Sequence, residues 1–258
     1  MNKFKLNLED YVGQGIICVT YDDGLRNNFE LAMPEHLDSG VPATFSVIAH
    51  RTVNPKYWDK FIKPYELACM DSLGFEISSH GYYHEKKFID MNSSELDTEL
   101  YKSKELLEGI MPSRKPIASI CIPFGSANEN VIKKSFKAYD IVRLSAYKNI
   151  ALDRVTQEPL PAYPVLSNTA PDQVFKWIDK AVHDKNVIIL MLHGIAEDIH
   201  GKGDYYYSVK SLKEILSYIA LLGKEKLLPL CLRDLSILQK QQLELAALDN
   251  GSKKKVVK

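Results

Sequence analysis

The chain has 258 residues, enough for one large α/β domain with a substantial hydrophobic core. Hydrophobic residues make up 45% and charged residues 26%, and the 33 basic residues balance 33 acidic ones. This zero formal net charge gives no reason to expect binding to nucleic acid or to an anionic membrane.

We expect a single domain at residues 1–250 and a flexible basic tail at residues 251–258. No apolar stretch reaches the length of about 18 residues that a membrane-spanning helix needs. Residues 1–10 lack the apolar core of a signal peptide. Four widely spaced cysteines form no Cys-x-x-Cys pair, which favours free thiols in a reducing compartment. The expected location is therefore cytoplasmic.

The predicted elements alternate between strands and helices along the chain. The first half contains a strand at 15–21, a helix at 25–39 broken or kinked at Pro34, a strand at 43–49, a helix at 64–73, a strand at 75–79 and a helix at 94–109. The second half contains a strand at 118–124, a helix at 129–138, a short strand at 141–144, a Pro-rich loop at 158–164, a helix starting at 169–172, a strand at 187–192, a long loop at 194–207, a helix at 209–222 and a strand at 227–232.

This alternation indicates parallel strands covered by helices, that is, an α/β fold. The seven predicted strands suit a closed or nearly closed barrel better than an open sheet. Polar residues that follow such strands share one rim, where these folds keep their chemistry. The long loop at 194–207 is expected on that rim, in contact with substrate.

Two adjacent aspartates, Asp22 and Asp23, directly follow the first predicted strand. Neighbouring carboxylates repel each other unless a cation or a shared proton separates their roles. At a strand end, the first can remain a free base while the second turns toward a metal. The alternative is a structural role, in which either carboxylate caps the helix that follows.

His80 and His84 follow the third predicted strand and are four residues apart. On a helical turn this spacing places both imidazoles within reach of one ion, and Gly81 allows a sharp turn between them. One carboxylate and two imidazoles can hold a divalent metal and leave positions open for water. The pattern predicts a metal-dependent hydrolase. A mononuclear iron oxygenase uses the same ligand types, but the strand–helix alternation argues against it.

His193 ends the apolar run at 187–192. It is a candidate general acid, because the unperturbed pKa of histidine lies near working pH. The alternative is a buried histidine that hydrogen-bonds a backbone carbonyl.

Together these motifs resemble those of the polysaccharide deacetylases with a NodB-homology domain, also called carbohydrate esterase family 4. Residues 20–24 match the first family motif, Thr-[Phe/Tyr]-Asp-Asp-Gly, in full. Residues 80–84 keep both histidines of the second motif, His-[Ser/Thr]-x-x-His, with Gly81 at the hydroxyl position. Residues 121–125 correspond to the third motif, Arg-x-Pro-[Tyr/Phe]-Gly, with Cys121 at the arginine position.

The resemblance covers residues 15–232 and implies a distorted (β/α)7 barrel. It also implies that Asp23, His80 and His84 bind one divalent metal, commonly zinc, with cobalt, nickel or manganese as alternatives.

The resemblance further implies the roles of the remaining site residues. Asp22 would be the general base, and His193, in the late Leu-His motif of the family, would be the general acid. Pro123, Phe124 and Gly125 would line the substrate site, where the backbone N–H of Phe124 would help to hold the oxyanion.

The family's third-motif arginine would pair with the base, and a thiol at Cys121 cannot supply its positive charge. The candidate replacements from elsewhere are Arg26, Arg51 and Arg143. The candidates for the family's acidic partner of the acid histidine are Asp140 and Asp153.

The predicted function is metal-dependent hydrolysis of an acetyl or similar acyl group from the amide nitrogen of a sugar or glycan precursor. The alternative is a catalytically impaired homologue that binds metal and carbohydrate but has lost turnover with the arginine. The apparent lack of a secretion signal favours a cytoplasmic sugar intermediate, glycolipid precursor or small cyclic amide over a cell-wall polymer. The aromatic residues that could either stack on sugar rings or serve in packing are Tyr82, Tyr83, Tyr205, Tyr206 and Tyr207.

Overall fold

Seven parallel strands form a ring at the centre of the molecule. They are β1 (Gly15–Tyr21), β2 (Thr44–Val47), β3 (Glu76–Ser79), β4 (Ser119–Cys121), β5 (Ile141–Arg143), β6 (Tyr163–Pro164) and β7 (Val187–Leu192). Their order around the ring is β5-β4-β3-β2-β1-β7-β6. The structure, a computed structural model, describes residue 4, residues 7–113 and residues 115–255, with side chains described as far as residue 248.

The ring closes between β6 and β5. Leu160, just before β6, forms a parallel bridge with Arg143 on β5, and the Leu160 N–H donates to the Val142 carbonyl at 2.7 Å. The fold is therefore the predicted distorted (β/α)7 barrel. The prediction of a loop throughout residues 158–164 was wrong, because this segment contains the strand that closes the ring. A strand of two residues is too short to produce a periodic sequence pattern.

The strands are buried on both faces because their side chains alternate between two apolar clusters. On β1, Ile17 and Val19 face the cluster that packs against the helices, whereas Ile16 and Cys18 face the barrel interior. This explains why the strands appear in the sequence as continuous apolar runs.

The helices cover the ring. Their bounds are α1 (Met33–Ser39), α2 (Ala49–Val53), α3 (Pro64–Leu73), α4 (Ser93–Asp97), α5 (Ser103–Ile110), α6 (Glu129–Ala138), α7 (Pro171–Asp184), α8 (Val209–Leu222) and α9 (Leu232–Lys255). The predicted helix at 94–109 corresponds to α4 and α5, joined by a π-helical turn at Thr98–Lys102. A second π-helical turn, Asn28–Ala32, precedes α1, whose first turn contains Pro34.

Three further strands and the last helix complete the described fold. β8 (Gly194–Ala196) and β9 (Tyr206–Ser208) pair in parallel within the segment predicted as a loop. β10 (Leu227–Pro229) pairs with the first half of β1 and is shorter than the predicted strand at 227–232. The sequence analysis did not predict α9, which begins at Leu232.

No described helix is both long and apolar enough to cross a membrane. All four cysteines are free, as predicted. Residues 256–258, and the side chains from residue 249 onward, lie outside the described part of the chain, so the flexible tail at 251–258 stays a prediction.

Asp234, in the first turn of α9, is a buried carboxyl whose ionisation opposes folding. Its Oδ2 accepts the Cys231 N–H at 3.2 Å. Burial, with a further contribution from Glu76, raises the pKa of Asp234 from 3.8 to about 6, although Arg233 opposes the shift. Because the pKa is raised on folding, stability is greatest below the unfolded value and falls as pH rises from about 4 to 6.

We therefore expect Asp234→Asn to stabilise the fold by about 1–3 kcal/mol above pH ~7, since the amide still accepts the Cys231 N–H without the cost of a buried charge. Urea unfolding of both proteins at about pH 8 and about pH 4 measures the effect. Equal stabilities at the higher pH would contradict it.

Candidate metal centre and active site

The predicted site residues meet at one rim of the barrel because each follows a strand of the parallel ring. Asp22 and Asp23 follow β1, His80 follows β3, and His193 follows β7. All of them, together with His84, line one cavity of about 450 Å³.

Asp23, His80 and His84 form the only cluster of metal-ligating side chains found in the described part of the chain. Oδ1 of Asp23 lies 3.5 Å from Nε2 of His80 and 3.7 Å from Nε2 of His84. The three ligand atoms all lie within 4.8 Å of one another. One carboxylate and two imidazoles at this separation fit a single divalent ion, with coordination positions left for water and substrate.

Backbone contacts orient the first of the two histidines. Nδ1 of His80 lies 2.7 Å from the carbonyl oxygen of Cys121, so this nitrogen carries the proton and donates it. Nε2 is then the unprotonated nitrogen that faces Asp23. Such a hydrogen bond fixes both the tautomer and the ring orientation of a metal ligand.

The backbone is strained where the site is built. Three of the four described non-glycine residues with positive φ are Asp23 (72°), His84 (59°) and Phe124 (59°). Non-glycine residues are uncommon in the left-handed region of backbone conformation, and those that occupy it concentrate at functional sites. The turn after Asp23 also requires Gly24, with φ of 69°, because a Cβ there would lie 2.8 Å from the Val47 side chain.

The second histidine is held in its neutral form. Burial, reinforced by His80, lowers the pKa of His84 to about 4, while Asp23 opposes the shift. The neutral imidazole is the form that binds a metal.

Asp22 is a buried carboxylate paired with Arg143. Nη2 of Arg143 donates to Oδ1 of Asp22, and the two side chains are 1% and 4% exposed. Burial alone would raise the pKa of Asp22, but Arg143, helped by His80 and His193, lowers it to about 2. Asp22 is thus ionised at neutral pH, as a general base must be.

Arg143 supplies, from β5, the positive charge that was expected at the position of Cys121 in the third motif. Cys121 and Arg143 are direct partners across β4 and β5. Nε of Arg143 donates to Sγ of Cys121 at 3.1 Å, and Nη1 donates to Sδ of Met191 at 2.8 Å. Burial raises the pKa of the Cys121 thiol to about 11, despite the opposing charge of Arg143. The thiol is therefore a neutral partner of the guanidinium.

The other candidate arginines are occupied elsewhere. Arg26 forms ion pairs with Glu30 and Glu66. The guanidinium of Arg51 lies 4.9 Å from the ring centroid of Phe61. Of the three replacements named from the sequence, only Arg143 pairs with the base.

His193 lies at the rim without an acidic partner. Its Nδ1 is buried and makes no hydrogen bond to any described residue, so neither Asp140 nor Asp153 supports it. Burial lowers the pKa of His193 below its ordinary value, and the charges of Asp22 and Asp23 only partly oppose that shift. The ring of Tyr205 lies 4.7 Å away.

The predicted substrate segment, Pro123–Gly125, forms a 3₁₀ turn after β4. Phe124 is 52% exposed, and its ring centroid lies 4.4 Å from that of His84. The apolar and aromatic part of the cavity wall consists of Leu25, Ile122, Phe124, Met191, Tyr205 and Tyr206. A larger groove of about 590 Å³ lies between α6 and α9, but no residue of the metal-ligating cluster lines it.

The five tyrosines named from the sequence divide by exposure. Tyr82 and Tyr207 are 7% and 2% exposed, so they are packing residues rather than sugar platforms. Tyr205 is 62% exposed and lines the cavity with Tyr206. Tyr83 is 36% exposed and packs its ring against Tyr82.

The fold and the site define an α/β barrel whose rim brings together one carboxylate and two imidazoles, a donor set suited to one divalent ion. The model of one family, described as polysaccharide deacetylase, matches residues 10–140. This is just over half of the chain, and it includes the two aspartates, both clustered histidines and the 3₁₀ turn. The chain therefore belongs to the polysaccharide deacetylase family, as its motifs predicted.

Solved structures share the fold at low sequence identity. A deacetylase solved with its substrate is 18% identical, with 90% of this chain and 94% of that chain covered and a TM-score of 0.54. A mutant of the peptidoglycan deacetylase PdaC from Bacillus subtilis is 16% identical, with 95% and 99% covered and a TM-score of 0.56. The Xyl-CE4 domain of a multidomain xylanase from the hindgut metagenome of Trinervitermes trinervoides is 16% identical, with 86% and 89% covered and a TM-score of 0.53. No curated protein sequence matches the chain.

Proposed function

We propose that the protein is a metal-dependent deacetylase that hydrolyses the amide of an N-acetylated sugar. Family membership supports the deacetylase class. The observation that carries the proposal is a buried, ionised carboxylate, Asp22, in the same cavity as the cluster of Asp23, His80 and His84. A base beside a metal site is an arrangement that can hydrolyse an amide, because the ion polarises the carbonyl and the base activates water.

Asp23, His80 and His84 would hold one divalent ion through a carboxylate oxygen and two Nε2 atoms. Zinc is the first candidate, and cobalt, nickel or manganese would suit the same donor set. When bound, such an ion supplies a Lewis acid that polarises the amide carbonyl and acidifies a water molecule.

The remaining groups move protons and stabilise charge. Asp22 accepts a proton from the attacking water, and Arg143 keeps it ionised for that step. His193 protonates the departing amine, which leaves poorly without a proton. Burial lowers the pKa of His193 and so opposes the protonated form that this step needs, and the negative charges of Asp22 and Asp23 offset that shift only in part. The backbone N–H of Phe124 would stabilise the oxyanion.

The cavity wall favours a neutral sugar as substrate. Among the described residues that line it, Arg143 is the only arginine and there is no lysine, and Arg143 already donates to Asp22, Cys121 and Met191. A phosphate or carboxylate on the bound sugar would therefore find no free basic side chain in this lining. The exposed rings of Phe124 and Tyr205 provide apolar faces of the kind on which sugar rings stack.

We expect Tyr205→Ala to raise KM about 3–10-fold with little change in stability, because the ring is exposed and its loss removes about 1 kcal/mol of stacking. Steady-state kinetics on the best substrate measure this, with Tyr147→Ala, also exposed but outside the cavity lining, as the control. Equal KM values for the two variants would exclude Tyr205 from the substrate site.

The proposed function is tested by acetate release from a panel of N-acetylated sugars and lipid-linked precursors. The protein is stripped with chelator and then supplied with zinc, cobalt, nickel or manganese. We expect acetate release that depends on one equivalent of metal. A folded protein that binds metal but deacetylates no member of the panel would contradict the proposal.

The alternative of an impaired homologue is not favoured. It rested on the absence of the third-motif arginine, and Arg143 supplies the missing charge to Asp22.

A further inference from the structure

The loop between the two histidines, residues 81–84, is shaped by contacts that leave no room for a side chain at its first position. Gly81 has φ of 77°. A Cβ there would lie 2.6 Å from Oε2 of Glu99, 3.2 Å from the Phe88 ring and 3.4 Å from Pro123. The hydroxyl residue of the family motif therefore cannot occupy this position without displacing Glu99.

Glu99 fills that space with a buried carboxylate that accepts the N–H groups of the loop. The residue is 3% exposed. Its Oε2 accepts the N–H of Tyr82 at 2.6 Å and that of Tyr83 at 3.1 Å, and its Oε1 lies 3.2 Å from the same Tyr83 nitrogen. Burial raises the pKa of Glu99, and the hydrogen bonds from the loop backbone oppose that shift.

The position of Glu99 depends on the π-helical turn Thr98–Lys102. The turn lies between α4 and α5, and such insertions in a helix are often found at functional sites. The same turn also holds the side chain of the loop, because Nζ of Lys102 lies 4.4 Å from the ring centroid of Tyr82. One helical turn thus contacts both the backbone and a side chain of the loop.

The rest of the loop backbone is fixed from the other side. The carbonyl of Gly81 accepts the N–H of Ala49, and that of Tyr82 accepts the N–H of His50. Glu99 is therefore the described side chain that satisfies the consecutive N–H groups leading to His84, a residue kept at φ of 59°.

We propose that Glu99 is a positioning residue for the metal site, which presets the backbone of the loop so that His84 meets the same ion as His80 and Asp23. The inference rests on the proposed function, in that it needs a metal at this site. Without the carboxylate, the N–H groups of Tyr82 and Tyr83 lose their acceptor. The loop then keeps only the contacts from Ala49 and His50 on its other side, so the strained conformation of His84 is less well supported and more of the loop must be ordered when the metal binds.

The test compares Glu99→Gln with the matched control Glu105→Gln. Both changes remove one negative charge from neighbouring helical turns, but Glu105 is exposed on α5. Affinities for zinc and cobalt are measured by competition with a chelating indicator, and the visible spectrum of the cobalt-loaded protein reports coordination geometry.

We expect Glu99→Gln to bind metal about 10–100-fold more weakly and to show an altered cobalt spectrum, as seen when groups that orient metal ligands are replaced. The control should match the wild type. Wild-type affinity and spectrum in folded Glu99→Gln would overturn the inference. A wild-type protein that binds no metal would instead overturn the proposed function.

If Glu99→Gln does not fold, Glu99→Asp decides the matter. This variant keeps the charge but shortens the side chain by one methylene, so it should fold and still bind metal more weakly than the wild type. Wild-type metal affinity in folded Glu99→Asp would show that Glu99 serves the fold and not the metal site.

Discussion

Asp22→Asn is expected to keep its metal and to lose turnover by about 10²–10⁴-fold, the contribution typical of a general base. The amide has nearly the size of the carboxylate and can still accept a hydrogen bond from Arg143, but it cannot accept the proton of the attacking water. Stability should fall as well, because the buried guanidinium loses its charge partner. Metal binding should persist because Asp22 is not part of the cluster of ligand atoms. Metal content and kcat are measured on the same preparation.

His84→Ala provides the contrast. It removes one of the three ligand groups, so we expect both the metal and the activity to be lost. Asp38→Asn, an exposed change of the same type, should leave both unchanged. Loss of metal from Asp22→Asn, or undiminished metal content in His84→Ala, would show that the roles of the two aspartates or of the histidine are assigned wrongly.

The second large effect is expected at Arg143. Arg143→Met removes the guanidinium but keeps an apolar chain of similar length, and it leaves the buried carboxylate of Asp22 without a charge partner. Breaking a buried ion pair from one side costs about 3–5 kcal/mol, so we expect a loss of stability of this size together with a large fall in kcat.

The pH dependence of Arg143→Met follows from the pKa of Asp22. In the wild type this pKa is about 2, below the ordinary 3.8, so the ionised form adds stability above about pH 4, and that contribution is lost as pH falls toward 2. Without the arginine, burial dominates and raises the pKa. The acid limb of the pH–rate profile should then move to higher pH, and an unchanged limb would contradict the pairing.

A double variant tests whether Asp22 needs the guanidinium at this point in space or specifically at position 143 of the sequence. Cys121 and Arg143 lie opposite each other on β4 and β5, so Cys121→Arg combined with Arg143→Cys moves the guanidinium to the neighbouring strand. We expect this exchange to restore part of the activity that Arg143→Cys alone loses. Cys121→Arg alone should destabilise the fold, because two guanidinium groups would share one buried site. An exchange variant no more active than Arg143→Cys would argue that the two positions are not equivalent.

The sequence predicted the parts of the site that depend on where strands end. Asp22, His80 and His193 each follow an apolar run, and the parallel barrel brings the ends of these runs to one rim. These runs are local features, so their ends are visible without knowledge of the fold. The number and alternation of the runs favoured a barrel over an open sheet, and the resemblance to the family implied its (β/α)7 form.

The parts that the sequence did not decide depend on contacts between distant segments. Three arginines were candidates for the partner of Asp22, and only the pairing of β4 with β5 shows that Arg143 reaches it. Glu99 was not noticed at all, since it belongs to an amphipathic helix and its inward position results from a π-helical turn. The clue in the sequence was Ser103, a polar residue at a position of this helix where the helical spacing predicts an apolar one. In the structure its hydroxyl bonds that of Ser79 in the core.

The closure of the barrel and the exposure of the tyrosines also depend on contacts between distant segments. β6 has two residues, so its place next to β7 is set by pairing and not by periodicity. Tyr205 and Tyr207 are two positions apart, yet one is exposed in the cavity and the other is buried. Tyr207 lies within β9 and Tyr205 just before it, and the pairing of β9 with β8 was not predicted.

The exchange of arginine between adjacent strands has a consequence for how distant relatives are classified. What the aspartate requires is a cation at one point in space, and in this chain β5 delivers it. A pattern search that insists on arginine at the position of Cys121 would discard this chain as a degenerate copy. Comparative surveys would sort such chains better by asking which guanidinium reaches the buried carboxylate in three dimensions, whatever its place along the chain.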